Sequence, residues 1–155
     1  MKTNSILFIA FISITVLLAT PSCKKNKDCG ETNISSAGGD DSHNFGQNCM
    51  SCHKIDGEGK GCFVVAGSVS NTALTNPLTS GTVRLYTQAN GGGTLKHTIQ
   101  IDSKGNFHTT DNIDFTGLYA AVTGPSGTTQ YMSSSLSSGA CNSCHGSSTS
   151  KLWGN

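Results

Sequence analysis

"SGTVRLYTQANGGGTLKHTIQIDSKGNFHTTDN", residues 80–112, decides the fold class of this chain. Val83 and Leu85 alternate with Arg84 and Tyr86. Further on, Leu95, His97, Ile99 and Ile101 alternate with Lys96, Thr98 and Gln100. Period two is the mark of a strand with one face in a core and one toward water. "ANGGGT" supplies turn residues between these runs, and Asp102 to Asn106 ("DSKGN") has the polar and glycine residues a hairpin connection needs, with Ile101 then facing Phe107.

Outward from this stretch the pattern continues. "CFVVAGSVSN" before it, and "GLYAAVTGPSG" and "TTQYMSSSL" after it, read as short strands and turns, and no segment from Phe63 to about Leu136 carries the 3.6-residue period of a helix. The chain is therefore expected to be mainly β, with a small antiparallel β-sandwich over residues 63–136. "AGSVSN", "GTVRLY", "TIQIDSKGNFHTT" and "GLYAAVTG", in that order, resemble the transthyretin-like sandwich of carboxypeptidase regulatory-type domains. Those domains are usually accessory, so the resemblance implies a scaffold rather than an activity.

On either side of the sandwich lies the same short motif. "FGQNCMSCHKIDGEGKGC" (residues 45–62) contains Cys49, Cys52 and His53, and "GACNSCHGSS" contains Cys141, Cys144 and His145 within residues 137–155. C-x-x-C-H reads as a c-type haem attachment site. The spacing serves two thioethers to the vinyl groups on one edge of the porphyrin, and the next residue's imidazole turns under the iron as an axial ligand. Two covalent haems are the expected cofactors, held by Cys49, Cys52 and His53 and by Cys141, Cys144 and His145. Three other readings stand beside this one. The four cysteines are a candidate zinc site of paired C-x-x-C elements, although the adjacent histidines are then unexplained. A dithiol redox site expects a βαβ context, which is missing here. Plain disulfide staples are the third.

The second motif is followed by only ten residues after His145, so its remaining axial ligand must come from upstream or from another molecule. Candidate sixth ligands are His43, His97, His108 and Met132; Met50, inside the first motif, is poorly placed to reach over its own haem. His97 shares the apolar parity of its strand, which equally suits a buried histidine satisfied by a hydrogen bond. His108 has the outward parity if Ile101 faces Phe107. His43 lies six residues before Cys49, and Met132 nine before Cys141, where core packing is the ordinary role. Trp153, the only tryptophan, is placed to cover a haem edge or to pack on the sandwich.

The N-terminus has Lys2, an apolar run from Ile6 to Ala19, small residues and then Cys23, the pattern of an export signal over residues 1–22. "TPSCKK" resembles the relaxed lipobox of bacterial lipoproteins, which implies that Cys23 is lipidated. Lys24 after it resembles proteins sent to the outer membrane, on its periplasmic or surface side. Acyl chains would hold the domain at the membrane through buried methylenes. Residues 23–44 are polar and aperiodic and read as a flexible tether.

Of the seven cysteines, lipidation of Cys23 and two haem motifs leave Cys29 and Cys62. Parity suggests that they pair, and closing a loop of roughly 34 residues is worth about 3–4 kcal/mol in the chain-entropy model. Ten basic residues face nine acidic ones, and Lys2 leaves with the signal. No basic patch points to nucleic acid. No Ser-His-Asp arrangement or phosphate loop stands out. Arg84 is the only arginine, too little for the charged distal groups of a haem enzyme. The expected function is electron transfer with redox partner proteins, not catalysis. The alternative is a surface-anchored β-sandwich binding module whose cysteines form disulfides or a zinc site.

Overall fold

The computed structural model describes residues 29–37 and 41–155; the signal and Cys23 lie outside the described residues. Seven strands form two sheets: β1 (Val65–Asn71), β2 (Gly81–Tyr86), β3 (Leu95–Ile101), β4 (Asn106–Thr109), β5 (Tyr119–Thr123), β6 (Thr129–Tyr131) and β7 (Leu152–Gly154). One sheet has the order β4-β1-β7 and the other β3-β2-β5-β6. The chain is thus mainly β, a small sandwich rich in antiparallel pairs. Val83, Leu85, Ile99 and Ile101 are all buried, as the alternation requires, and with Val65, Val69, Phe107 and Val122 they fill the space between the sheets. At the outer end of β3 the pattern lapses, with Leu95 exposed and His97 half-buried, because β3 is the edge of its sheet.

Two expectations are corrected. Asp102–Asn106 does form a tight turn, closed by the Gly105 N–H to the Asp102 carbonyl at 3.0 Å and capped by the Asp102 carboxylate, which accepts from the Lys104 and Asn106 N–H groups. It is not a hairpin, because β3 pairs with β2 while β4 crosses to the other sheet and pairs with β1. Phe107 therefore stands opposite Gly67, not Ile101. Residues 29–37, expected to belong to the flexible tether, lie along β4: Ser35 bridges Thr109, and Ser36, buried, exchanges hydrogen bonds with the backbone of His108. This segment covers a sheet edge that would otherwise present unpaired backbone groups. Cys29 and Cys62 are joined in a disulfide that pins its start.

β1 is the organising strand. It is buried almost throughout rather than alternating, because both of its faces and both of its edges are covered. Small residues make this possible: a Cβ on Gly67 would lie 2.7 Å from the Phe107 ring and 2.9 Å from Cys141 Cβ. On the edge of β1 away from β4 the chain pairs at Ala140 with Ala66, leaves, and returns as β7, parallel to β1 from Val69↔Leu152 to Asn71↔Gly154. The second C-x-x-C-H motif is the excursion between these two anchor points. The C-terminal stretch is thus a part of the sandwich as well as a flank to it, and Trp153 lies in β7, half-buried.

Candidate functional site

Both motifs fold into the same local structure. Cys49–Ser51 and Cys141–Ser143 are single 3₁₀ turns. In the first, the N–H groups of Cys52 and His53 donate to the Cys49 carbonyl at 3.2 and 3.0 Å; in the second, those of Cys144 and His145 donate to the Cys141 carbonyl at 3.3 and 2.9 Å. In each pair the first cysteine is half-buried and the second exposed, and all four thiols are free.

The histidines are held alike. His53 Nδ1 lies 2.8 Å from the Lys60 carbonyl and His145 Nδ1 lies 2.9 Å from the Ser150 carbonyl. A carbonyl only accepts, so each Nδ1 carries the proton and each Nε2 keeps its lone pair for a metal. That is how proteins orient imidazole ligands. The segments that supply these carbonyls are the motifs' own continuations, "KIDGEGK" and "GSSTS".

Gly59 lets the first loop close over His53. A Cβ there would lie 2.6 Å from His53 Nδ1 and 2.7 Å from its Cγ, so either the loop or the imidazole must shift. Gly59→Ala is expected to cost about 1–3 kcal/mol, as overpacking does, in a urea titration. It is also expected to loosen His53, seen as broadening of its imidazole resonances.

Beside each motif opens a cleft. The first, about 630 Å³, contains Cys49, Cys52 and His53 together with His43 and His108. The second, about 430 Å³, contains Cys141, Cys144 and His145 with Met132 and Trp153, and runs in between the sheets to Phe107. Both volumes lie in the range of roughly 300–1,000 Å³ usual for cofactor sites. His97 lines neither. Its place at the rim of β3, paired with Leu85, leaves it far from this chemistry, and it is half-exposed rather than a buried core histidine.

In the first cleft the rings form a column. His53 stacks on Phe63 with centres 3.9 Å apart and planes within 8°, and Phe63 stacks on His108 at 4.4 Å and 15°. His108 is thus separated from His53 by a whole aromatic ring, on the face of the imidazole rather than at its nitrogen edge. His43 has no such barrier: its ring centre lies 5.9 Å from that of His53, and its Nδ1 is 3.2 Å from the Asp41 carbonyl, which again leaves Nε2 for a metal. Burial lowers the pKa of His108, with the His53 and His43 charges acting the same way and Asp102 opposing, so it stands as a neutral ring in the stack. Phe63 and Gly59 were not marked by the sequence reading; the nearness of Phe63 to Cys62, just past the motif, was the available signal.

Burial also governs the inner thiols. It raises the pKa of Cys49, helped by the charges of Asp102 and Cys52 and opposed by a backbone hydrogen bond. It pushes Cys141, packed against the core, up to about 12, with the Cys49 thiol adding to the rise. Among the described residues no three His, Cys, Asp or Glu side chains converge as a metal-ion site. No helix among the described residues is long and apolar enough to cross a membrane. No known family, curated protein or solved structure matches the chain.

Proposed function

We propose that the protein is an exported, lipid-anchored c-type cytochrome that carries two covalent haems and passes electrons between redox partner proteins at a bacterial membrane surface. The observation that carries this reading is the repetition of one device. Each C-x-x-C-H turn presents two free thiols, ties its imidazole Nδ1 to a carbonyl and opens on a cleft of cofactor size. The residues fit the group chemically as well. Two thiols and the following imidazole are the donor set a covalent haem takes, and the histidines that a paired-cysteine zinc site leaves unused then have a role.

In this reading Cys49 and Cys52 would attach the first haem and Cys141 and Cys144 the second, and His53 and His145 would each supply an imidazole nitrogen to the iron. Haem c, bound there, supplies a one-electron ferrous/ferric couple. The chain's own work is to hold the ligands rigid, so that little rearranges when charge changes. The transthyretin-like sandwich acts as the frame, with β1 carrying the second attachment turn. Cys23, lipidated, tethers the frame to the outer membrane.

The test is expression with a c-type haem maturation system, followed by quantification of haem per chain and by spectra of the air-oxidised and dithionite-reduced protein. Two covalent haems with sharp low-spin reduced bands are expected. A colourless chain with bound zinc or with paired motif cysteines would overturn the proposal and leave the sandwich as an anchored binding module. A high-spin spectrum that shifts with carbon monoxide would point instead to an open-site haem enzyme.

A further inference from the structure

The two clefts differ in what surrounds the motif, and this difference goes one step beyond the haem reading on which it rests. We infer that the chain builds two unequal haem sites: the first, with His43 opposite His53, poised at the lower potential, and the second, with Met132 as the ligand available to His145, poised at the higher.

Ligand placement comes first. Two imidazoles on opposite sides of one iron, with metal–nitrogen bonds of about 2 Å, have ring centres roughly 6 Å apart. His43 and His53 are separated by 5.9 Å. His43 is held near this place by the loop it begins. The side-chain amide of Asn106 donates to the His43 carbonyl at 3.2 Å, and Ser68 Oγ accepts the Gly46 N–H at 2.8 Å. The second cleft has no histidine other than His145 among its lining residues, and Met132 is the one thioether there. A methionine ligand raises the potential relative to a second histidine.

Charge acts in the same direction. Ferric haem carries one more positive charge than ferrous haem, so nearby carboxylates favour the oxidised form and an apolar shell favours the reduced one. Glu31, Asp41, Glu58 and Asp102 line the first cleft, with Lys60 as its one lysine. Asp102 is the strongest of these on burial, at 6% exposed. Its Oδ1 accepts from the Lys104 and Asn106 N–H groups, while its Oδ2 is buried without a hydrogen-bond partner, and a buried charge is screened less by salt and water than an exposed one. The second cleft is lined by no carboxylate; Phe107, Leu136, Leu152 and Trp153 give it apolar walls, and Lys151 is its only lysine.

The experiment is a potentiometric titration of the full haem-loaded chain, followed by optical and near-infrared spectra, after haem per chain has been counted. Two separate waves are expected, with a sulfur-to-iron charge-transfer band belonging to the upper one. Asp102→Asn should raise the lower wave and leave the upper in place. Met132→Ala should remove the sulfur band and shift only the upper wave, and it keeps the inference testable if the Asp102 variant does not fold. His43→Ala should let the lower-potential haem alone bind carbon monoxide. A single common wave, an upper wave that moves with Asp102, or a sulfur band that survives Met132→Ala would overturn the inference while leaving two covalent haems, and hence the cytochrome reading, intact. A chain that binds no haem would overturn both.

Discussion

Replacing Cys141 and Cys144 together with alanine is expected to remove one of two covalent haems and to leave the other, as is replacing Cys49 and Cys52. Thioether attachment needs the sulfurs themselves, so the loss at the altered motif should be complete rather than graded. The intact mass should fall by one haem, and the pyridine haemochrome per chain should halve. The two variants should differ in stability. Cys141 packs against the core beside Gly67 and Phe107, so its truncation is expected to cost about 1 kcal/mol of apolar burial. The Cys49 and Cys52 side chains lie in the more polar first cleft and contribute little to the core. Equal haem content in the two variants and the parent would mean that the motifs do not attach haem. Loss of all colour in either would mean that the sites do not load independently.

Phe107→Ala is expected to be the most damaging single substitution in the sandwich. Phe107 is the largest of the fully buried side chains, at 1% exposed. It reaches from β4 across Gly67 to the wall of the second cleft. Phe→Ala truncations in cores cost about 3–5 kcal/mol, against a total stability of roughly 5–15 kcal/mol for a domain. The urea midpoint should fall accordingly, and Tm should drop by more than about 10 °C. The cavity left behind opens on the second cleft, so its haem environment should be disturbed while the first is spared. Phe107→Leu, which keeps most of the volume, should cost less than half as much. A loss below about 1 kcal/mol for Phe107→Ala would show that the sheets do not close over this residue.

Both predictions join a residue legible in the sequence to a neighbour that was not. Phe107 is plainly apolar in "GNFHTT", yet its partner is Gly67, some forty residues earlier in the chain. The turn at Asp102–Asn106 was readable from its own residues, because an aspartate cap and a glycine act within five positions. Where the chain goes after such a turn is not a local matter. Whether β4 folds back on β3 or crosses to β1 depends on which face of which strand is left uncovered, and that is settled only when the sheets meet.

The histidines divide in the same way. His53 and His145 are identified by their position directly after a cysteine pair, and the Nδ1 bonds to Lys60 and Ser150 come from the next few residues. His43, His97 and His108 were set apart as ligand candidates only by strand parity and by position along the chain. Their separation into a ring 5.9 Å from His53, a half-exposed edge residue and a ring screened by Phe63 follows from long-range pairings. The link between Cys29 and Cys62 was suggested by parity alone. Its consequence, a docked strand-like segment where a tether was expected, follows from the pairing of Ser35 with Thr109.

By itself, then, the sequence determined the β character and the two C-x-x-C-H motifs, since strand alternation and motif spacing are properties of stretches of ten residues or fewer. Only the tertiary structure decided that the second turn hangs from β1, that the C-terminal stretch returns as a parallel strand, and that one cleft holds four carboxylates and the other none. These depend on which distant segments bury each other's apolar faces and satisfy each other's backbone groups, a competition resolved across the whole chain at once.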